Sequence, residues 1–186
     1  YGDGFSGCVG KYHEENGVTI DEYFLEEASL GIIYTSATSH LGLGGFGSEG
    51  KMQGLASYGN YNNTFSIAKY LSVSGISPQV DQALKEKSGW YEQEQYARMS
   101  VISNDLFSEL IDKRFPDEEI KQLHCDFAAT IQQDIYNIIK QVIKKTSETK
   151  QIILSGGIAQ NSTIINKLSE ELGLRIFTST SCSDRG

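Results

Sequence analysis

Apolar positions along the chain change period several times, and each change marks an element. The longest regular series is Ile120, Leu123, Phe127, Ile131, Ile135, Ile138 and Val142. Its three- and four-residue steps predict one long amphipathic helix. Pro116 and the acids Asp117, Glu118 and Glu119 are expected to open that helix, and Lys144-Lys145 to close it against the negative end of the dipole. Just before it, Met99, Ile102, Leu106 and Leu110 predict a second amphipathic helix within residues 95–113. After it, Ile152 to Ser155 reads as a short buried strand that breaks on Gly156-Gly157. A helix-period run then follows through Asn161, Ile164, Ile165, Leu168 and Leu172. Gly173 should stop that helix, and Leu174 to Thr178 should form the next strand.

The N-terminal part reads differently. Phe5 to Tyr12 and Val18 to Phe24 alternate as two strands around Glu14-Glu15-Asn16-Gly17, and Asn-Gly is a strong hairpin signal. Ser29 can cap a helix carrying Leu30, Ile33, Tyr34, Ala37 and Leu41 on one side. The β-branched Ile32, Ile33, Thr35 and Thr38 weigh against it. Glu49 to Gly59 has Lys51, Leu55 and Tyr58 spaced for a short helix that Gly59 can end. Residues 60–94 are polar and weakly periodic, so loops with short elements are expected there, with the lone Trp90 used in packing.

Composition narrows the classes. A length of 186 residues suits one domain or a large part of one. The net charge of −8 argues against a nucleic-acid backbone as partner. Cys8, Cys125 and Cys182 are far apart and form no CxxC, so neither a zinc ribbon nor a disulfide framework is indicated and a reducing cytoplasm is expected. No apolar run approaches the ~20 residues of a membrane span, and the opening Tyr-Gly-Asp-Gly does not read as a secretory signal, so none is expected. The sequons at Asn62 and Asn161 are then chance matches. Tyr1 and Gly186 both fall beside glycine turns, so the chain reads as a fragment of a longer protein.

Candidate chemistry concentrates in glycine-rich turns. A strand that breaks over two glycines brings bare backbone close to a ligand, and the helix that follows offers unpaired N–H groups. Such a turn is also common in any α/β protein. Gly42-Leu43-Gly44-Gly45-Phe46-Gly47 matches G-x-G-x-x-G letter for letter. The dinucleotide reading fails because a helix, not a strand, should precede it and no acid follows at the required distance. Lys51 could meet a phosphate or simply be a solvated lysine. Asp3 and Asp184 each stand on a glycine turn. No Ser-His-Asp order can be defended, and His13, His40 and His124 show no pairing at helical spacing, so a self-contained zinc site is not indicated. His124 and Cys125 read as structural.

Taken in order, Gly2–Gly4, Ser29–Tyr34 with Thr38, Leu41 and Gly42, Glu49–Gly59, Leu154–Asn161 and Asp184–Gly186 resemble the carbamoyltransferases of the nodulation and antibiotic-tailoring type. Their N-terminal part is similar to the tRNA threonylcarbamoyladenosine enzyme. The Glu49–Gly59 block is the most specific element, and the resemblance spans essentially the whole chain. It implies an incomplete α/β actin-like ATPase fold, ribonuclease H-like, with a mixed sheet and flanking helices. Residues 1–59 would give the hairpin and the Glu-Gly-Lys block, 95–145 the helices, and 151–186 the Gly-Gly motif and terminal Asp turn.

The resemblance also implies a reaction. Carbamoyl phosphate is hydrolysed to carbamate in a separate C-terminal lobe. Carbamate and ATP give carbamoyl-adenylate, and the carbamoyl group passes to a hydroxyl of a small molecule with help from a divalent metal, iron by resemblance. Gly156 and Gly157 would approach the adenosine, supported by Asn161, and Lys51 would lie near the ribose or phosphates. Asp3 and Gly4 would form a second phosphate turn, and Asp184 would ligate the metal. No general base is identifiable. Arg185 stands where a smaller residue is expected. The family's upstream histidine segment and its C-terminal lobe are absent from this sequence, so these residues alone are expected to be catalytically silent. The implied partners are the hydroxyl acceptor, carbamoyl phosphate and a second copy of the chain. Another actin-like kinase or ATPase, or a non-catalytic nucleotide-binding module, is the alternative.

Overall fold

The computed structural model describes residues 5–25, 29–87 and 98–178, with the backbone alone for residues 5, 25 and 98–103. Asp3, Gly4, Trp90, Cys182 and Asp184 therefore lie outside the described residues.

Strands β1 (Phe5–His13) and β2 (Gly17–Leu25) form the expected antiparallel hairpin, with His13 opposite Gly17. The turn is Glu14-Glu15-Asn16, and Gly17 closes it at φ 72°. Asn16-Gly17 thus ends a three-residue loop instead of forming the centre of a two-residue one. Helix α1 (Leu30–His40) follows, its first turn capped by Ser29 Oγ accepting from the Ile32 N–H at 3.3 Å. The β-branched residues do not prevent it, because Ile32, Ile33, Thr35 and Thr38 are all buried against neighbours. Tertiary packing here outweighs intrinsic propensity.

Residues 42–48 are turns between two helices, with Gly42, Gly44 and Gly47 at positive φ, so the G-x-G-x-x-G there opens no nucleotide fold. Helix α2 (Glu49–Ala56) ends in a Ser57 cap, two residues before Gly59. Gly59 is not a left-handed stop. It is needed because a Cβ there would lie 2.0 Å from the Cys125 carbonyl oxygen.

The polar stretch contains a 3-10 turn (Asn63–Phe65), a small antiparallel pair β3 (Leu71–Ser74) and β4 (Ser77–Val80), and α3 (Gln82–Lys87). Helix α4 (Arg98–Leu110) confirms the second amphipathic run, with Leu106 and Phe107 fully buried.

The long helix α5 (Gln122–Thr146) begins later than its spacing predicts. Ile120 and Leu123 are exposed at 45% and 41%, and the Pro116 segment forms a separate turn. The reason is Arg114. Its buried guanidinium donates to the carbonyls of Leu41, Pro116 and Glu118, which holds the 114–118 segment in that turn against the C-terminal end of α1. Lys121 becomes the cap, and His124 Nδ1 accepts from the Lys121 N–H at 2.9 Å. That gives His124 the structural role expected of it.

A parallel pair closes the chain. β5 (Gln151–Leu154) and β6 (Arg175–Thr178) run side by side, joined by α6 (Ser162–Leu172), with Gly173 in the left-handed conformation as the stop. The architecture is α/β, with one parallel and two antiparallel strand pairs among the described residues and helices packed beside them. The core joins α1, α4 and α5, where Phe107 and Phe127 meet edge to face at 5.5 Å.

Candidate functional site

The Gly-Gly turn is built from its strand outward. β5 stops at Leu154, and Gly156 takes φ 94°, a conformation that only glycine adopts without strain. Residues Gly157–Gln160 then form a 3-10 turn before α6 starts. The helix therefore does not open directly on the glycines. Its first turn is capped internally, since Asn161 Oδ1 accepts from the Ile164 N–H at 3.1 Å. The free N–H groups expected at that helix end are in part already used. Above the glycines there is room: a Cβ on Gly156 or Gly157 would meet no atom within 4 Å.

Asn161 is buried and ties three helices together. Its Nδ2 donates to Gln132 Oε1 on α5 at 2.9 Å. Tyr34 on α1 donates its hydroxyl to the same oxygen at 3.0 Å. Burial, assisted by Glu49, pushes the Tyr34 phenol well above its ordinary range, so it remains a protonated donor. Every orientation in this cluster follows from the first. The Ile164 N–H claims Asn161 Oδ1, which turns Nδ2 to Gln132 and requires an acceptor there.

The Glu49–Gly59 block reaches the same place through a residue the sequence did not single out. Gln53 Nε2 donates to Ser162 Oγ at 2.9 Å, in the first turn of α6. Lys51, two residues earlier, lies on the other side of α2, and its Nζ donates to the Leu43 carbonyl at 3.0 Å. It remains an exposed cation beside the 42–47 turn. Glu49 is fixed at the start of α2 by Thr35 Oγ1 at 2.6 Å and by the Gly47 N–H at 2.8 Å.

The structure thus ties Asn161, which follows the Gly156-Gly157 turn, to Tyr34 and Gln132, and brings Gln53 of α2 to the start of α6, while Lys51 is turned away to Leu43. A phenol within the apolar stripe of α1 was the one sequence signal for this network, because a buried Tyr hydroxyl needs a partner. Gln53 and Gln132 carried none. Among the described residues no group of three or more His, Cys, Asp or Glu is arranged to hold a metal ion. The metal expectation therefore rests on Asp184 and residues beyond those described. Among the described residues no helix is long and apolar enough to cross a membrane.

The described residues form an α/β protein with an open glycine turn after β5. The family model for the carbamoyltransferase N-terminus matches residues 9–179, nearly the whole chain. The chain belongs to that family, and its class is that of the transferases that move carbamoyl groups. Comparison with curated proteins finds no match.

Proposed function

We propose that the chain is the nucleotide-holding part of an ATP-dependent O-carbamoyltransferase with an actin-like fold. The observation that supports this most is the contact of the Glu49–Gly59 block with the start of α6, the helix that follows the Gly-Gly-Asn turn, through Gln53 and Ser162. The turn itself has open space over both glycines.

In this reading Gly156 and Gly157 let the adenosine lie against bare backbone, and Asn161 keeps the turn in place. Lys51, Asp3 and Gly4 serve the ribose and phosphates, and Asp184 a divalent metal. Carbamoyl phosphate supplies the group through a further lobe, and carbamoyl-adenylate is the donor. An acceptor hydroxyl oxygen attacks the carbamoyl carbon, the bond from that carbon to the phosphate oxygen breaks, and AMP leaves. The hydroxyl proton goes to a base. Holding the adenylate fixed gives most of what such a transfer needs from this part, because orientation removes an entropic cost from the reaction.

Calorimetric titration of ATP and AMP into the 186-residue chain and its Gly157→Val variant tests this. The reading expects binding to wild type that the valine abolishes. Equal affinity in both would place the nucleotide elsewhere and sink it.

A further inference from the structure

A second concavity lies between the end of α2, the middle of α5 and the first half of α6, with a volume of about 210 Å³. That is below the roughly 300–1,000 Å³ of ordinary small-molecule pockets, so it suits a ligand much smaller than a nucleotide. Its walls include Ala56, Gly59, Ala129 and Ile164, and its polar groups come from Tyr61, Gln132, Gln133, Tyr136, Thr163 and Lys167.

Not all of them are donors: Thr163 Oγ1 accepts from Gln53 Nε2 at 3.4 Å, Gln133 Oε1 accepts from Lys167, and the Tyr61 and Tyr136 hydroxyls turn to Asp134 and Glu171. Gln132 and Lys167 supply the donors. Gln132 Oε1 is already taken by Tyr34 and Asn161, so what this side chain has left to offer is its Nε2. Lys167 Nζ donates to Gln133 Oε1 at 2.6 Å and lies 4.7 Å over the Tyr136 ring, which holds the ammonium at the cavity edge. Lys140 and Lys167 both turn to the single carboxylate of Glu171, Lys140 by direct contact and Lys167 at 3.9 Å. This corner keeps one positive charge in excess, in a chain whose net charge is −8. An ammonium and an amide N–H facing a small, partly apolar hollow match an oxyanion, whose oxygens accept from both.

We infer that this cavity is a binding site for a small oxyanion, a carboxylate or phosphate group, separate from the Gly156-Gly157 turn. The inference does not depend on the carbamoyl-transfer reading. Gln132 joins the two places, since its Oε1 supports Asn161 while its Nε2 serves the cavity. A bound anion should therefore be felt at the turn without occupying it.

Inorganic phosphate is the probe, titrated at constant ionic strength against sodium chloride while amide NMR signals are followed. Saturable shifts are expected at the Gln132 side-chain amide and at the backbone amides of Thr163, Ile164 and Lys167. Lys167→Ala should weaken the binding by about tenfold or more, the loss expected for one charge-assisted hydrogen bond. Lys167 is half-exposed, so that variant should fold, and its amide spectrum shows whether it does. Gln132→Leu should weaken binding as well. Gly157→Val should leave phosphate binding unchanged even where nucleotide binding is lost. Shifts confined to residues 156–161, equal shifts with chloride, or unchanged affinity in Lys167→Ala would each overturn the proposal.

Discussion

Gln53 on α2 donates a hydrogen bond to Ser162 at the start of α6 across 2.9 Å, joining segments 109 residues apart in sequence. The bond is exposed, so its share of stability is small, about 1 kcal/mol. Its effect should appear in ligand binding instead. Gln53→Ala is expected to weaken ATP binding about fivefold and to lower the unfolding free energy by no more than about 1 kcal/mol. Calorimetry and urea denaturation on the same preparations check both halves. A large stability loss with intact binding would make Gln53 a packing residue only.

Asn161 has two separable duties. It caps α6 through Oδ1 and links to Gln132 through Nδ2. Asn161→Ala removes both and should cost about 2–3 kcal/mol. Asn161→Ser keeps a cap acceptor and loses the link, so it should cost about 1 kcal/mol. Equal losses from the two variants in denaturant unfolding would mean that the cap contributes nothing, and an Asn161→Ser variant as stable as wild type would mean that the link to Gln132 contributes nothing.

Three glycines should respond differently to alanine. A Cβ on Gly59 would collide with the Cys125 carbonyl on the backbone of α5, which cannot move alone, so Gly59→Ala should cost about 3 kcal/mol or more. Gly54 lies inside α2 with nothing near its missing Cβ, and Gly54→Ala should stabilise by about 0.5–1 kcal/mol. Gly157 also has open space and an unstrained backbone, so Gly157→Ala should leave stability nearly unchanged. Thermal unfolding ranks the three, and Gly59→Ala melting with wild type would contradict the close approach.

Asp134 should give the stability an unusual pH dependence. It is buried on α5, where its carboxylate accepts from Ser66 Oγ at 2.8 Å, the Ile67 N–H at 2.8 Å and the Tyr61 hydroxyl at 3.3 Å. Burial still outweighs those bonds and raises its pKa above the ordinary 3.8. A carboxyl raised on folding binds more protons in the native state, so its contribution is fully present below about pH 3.8. That contribution is lost as pH rises through the folded value. Asp134→Asn removes this term. The stability of wild type relative to the variant should therefore fall as pH rises from about 4 towards neutrality. A rising or flat difference in urea unfolding would show that the hydrogen bonds win over burial.

Much of the fold was legible because it is local. The hairpin, the capped α1, the α4 and α5 stripes, the Gly173 stop and the break of β5 on glycine all depend on residues a few positions apart. Period, capping and turn chemistry act at that range. The Gly-Gly turn and the Glu49–Gly59 block were legible for the same reason, and so was the family, which the match over residues 9–179 established.

What the sequence could not decide is where distant groups meet. The late start of α5 depends on Arg114 taking the carbonyls of Pro116 and Glu118. Gly59 looked like a helix stop, and only the approach of α5 shows why the position is glycine. Local pattern determined the elements and the glycine turns of this protein. Tertiary structure decided that Tyr34 and Gln132 meet Asn161 and that Gln53 meets Ser162 beside it, because one long-range hydrogen bond leaves no periodic trace in the chain.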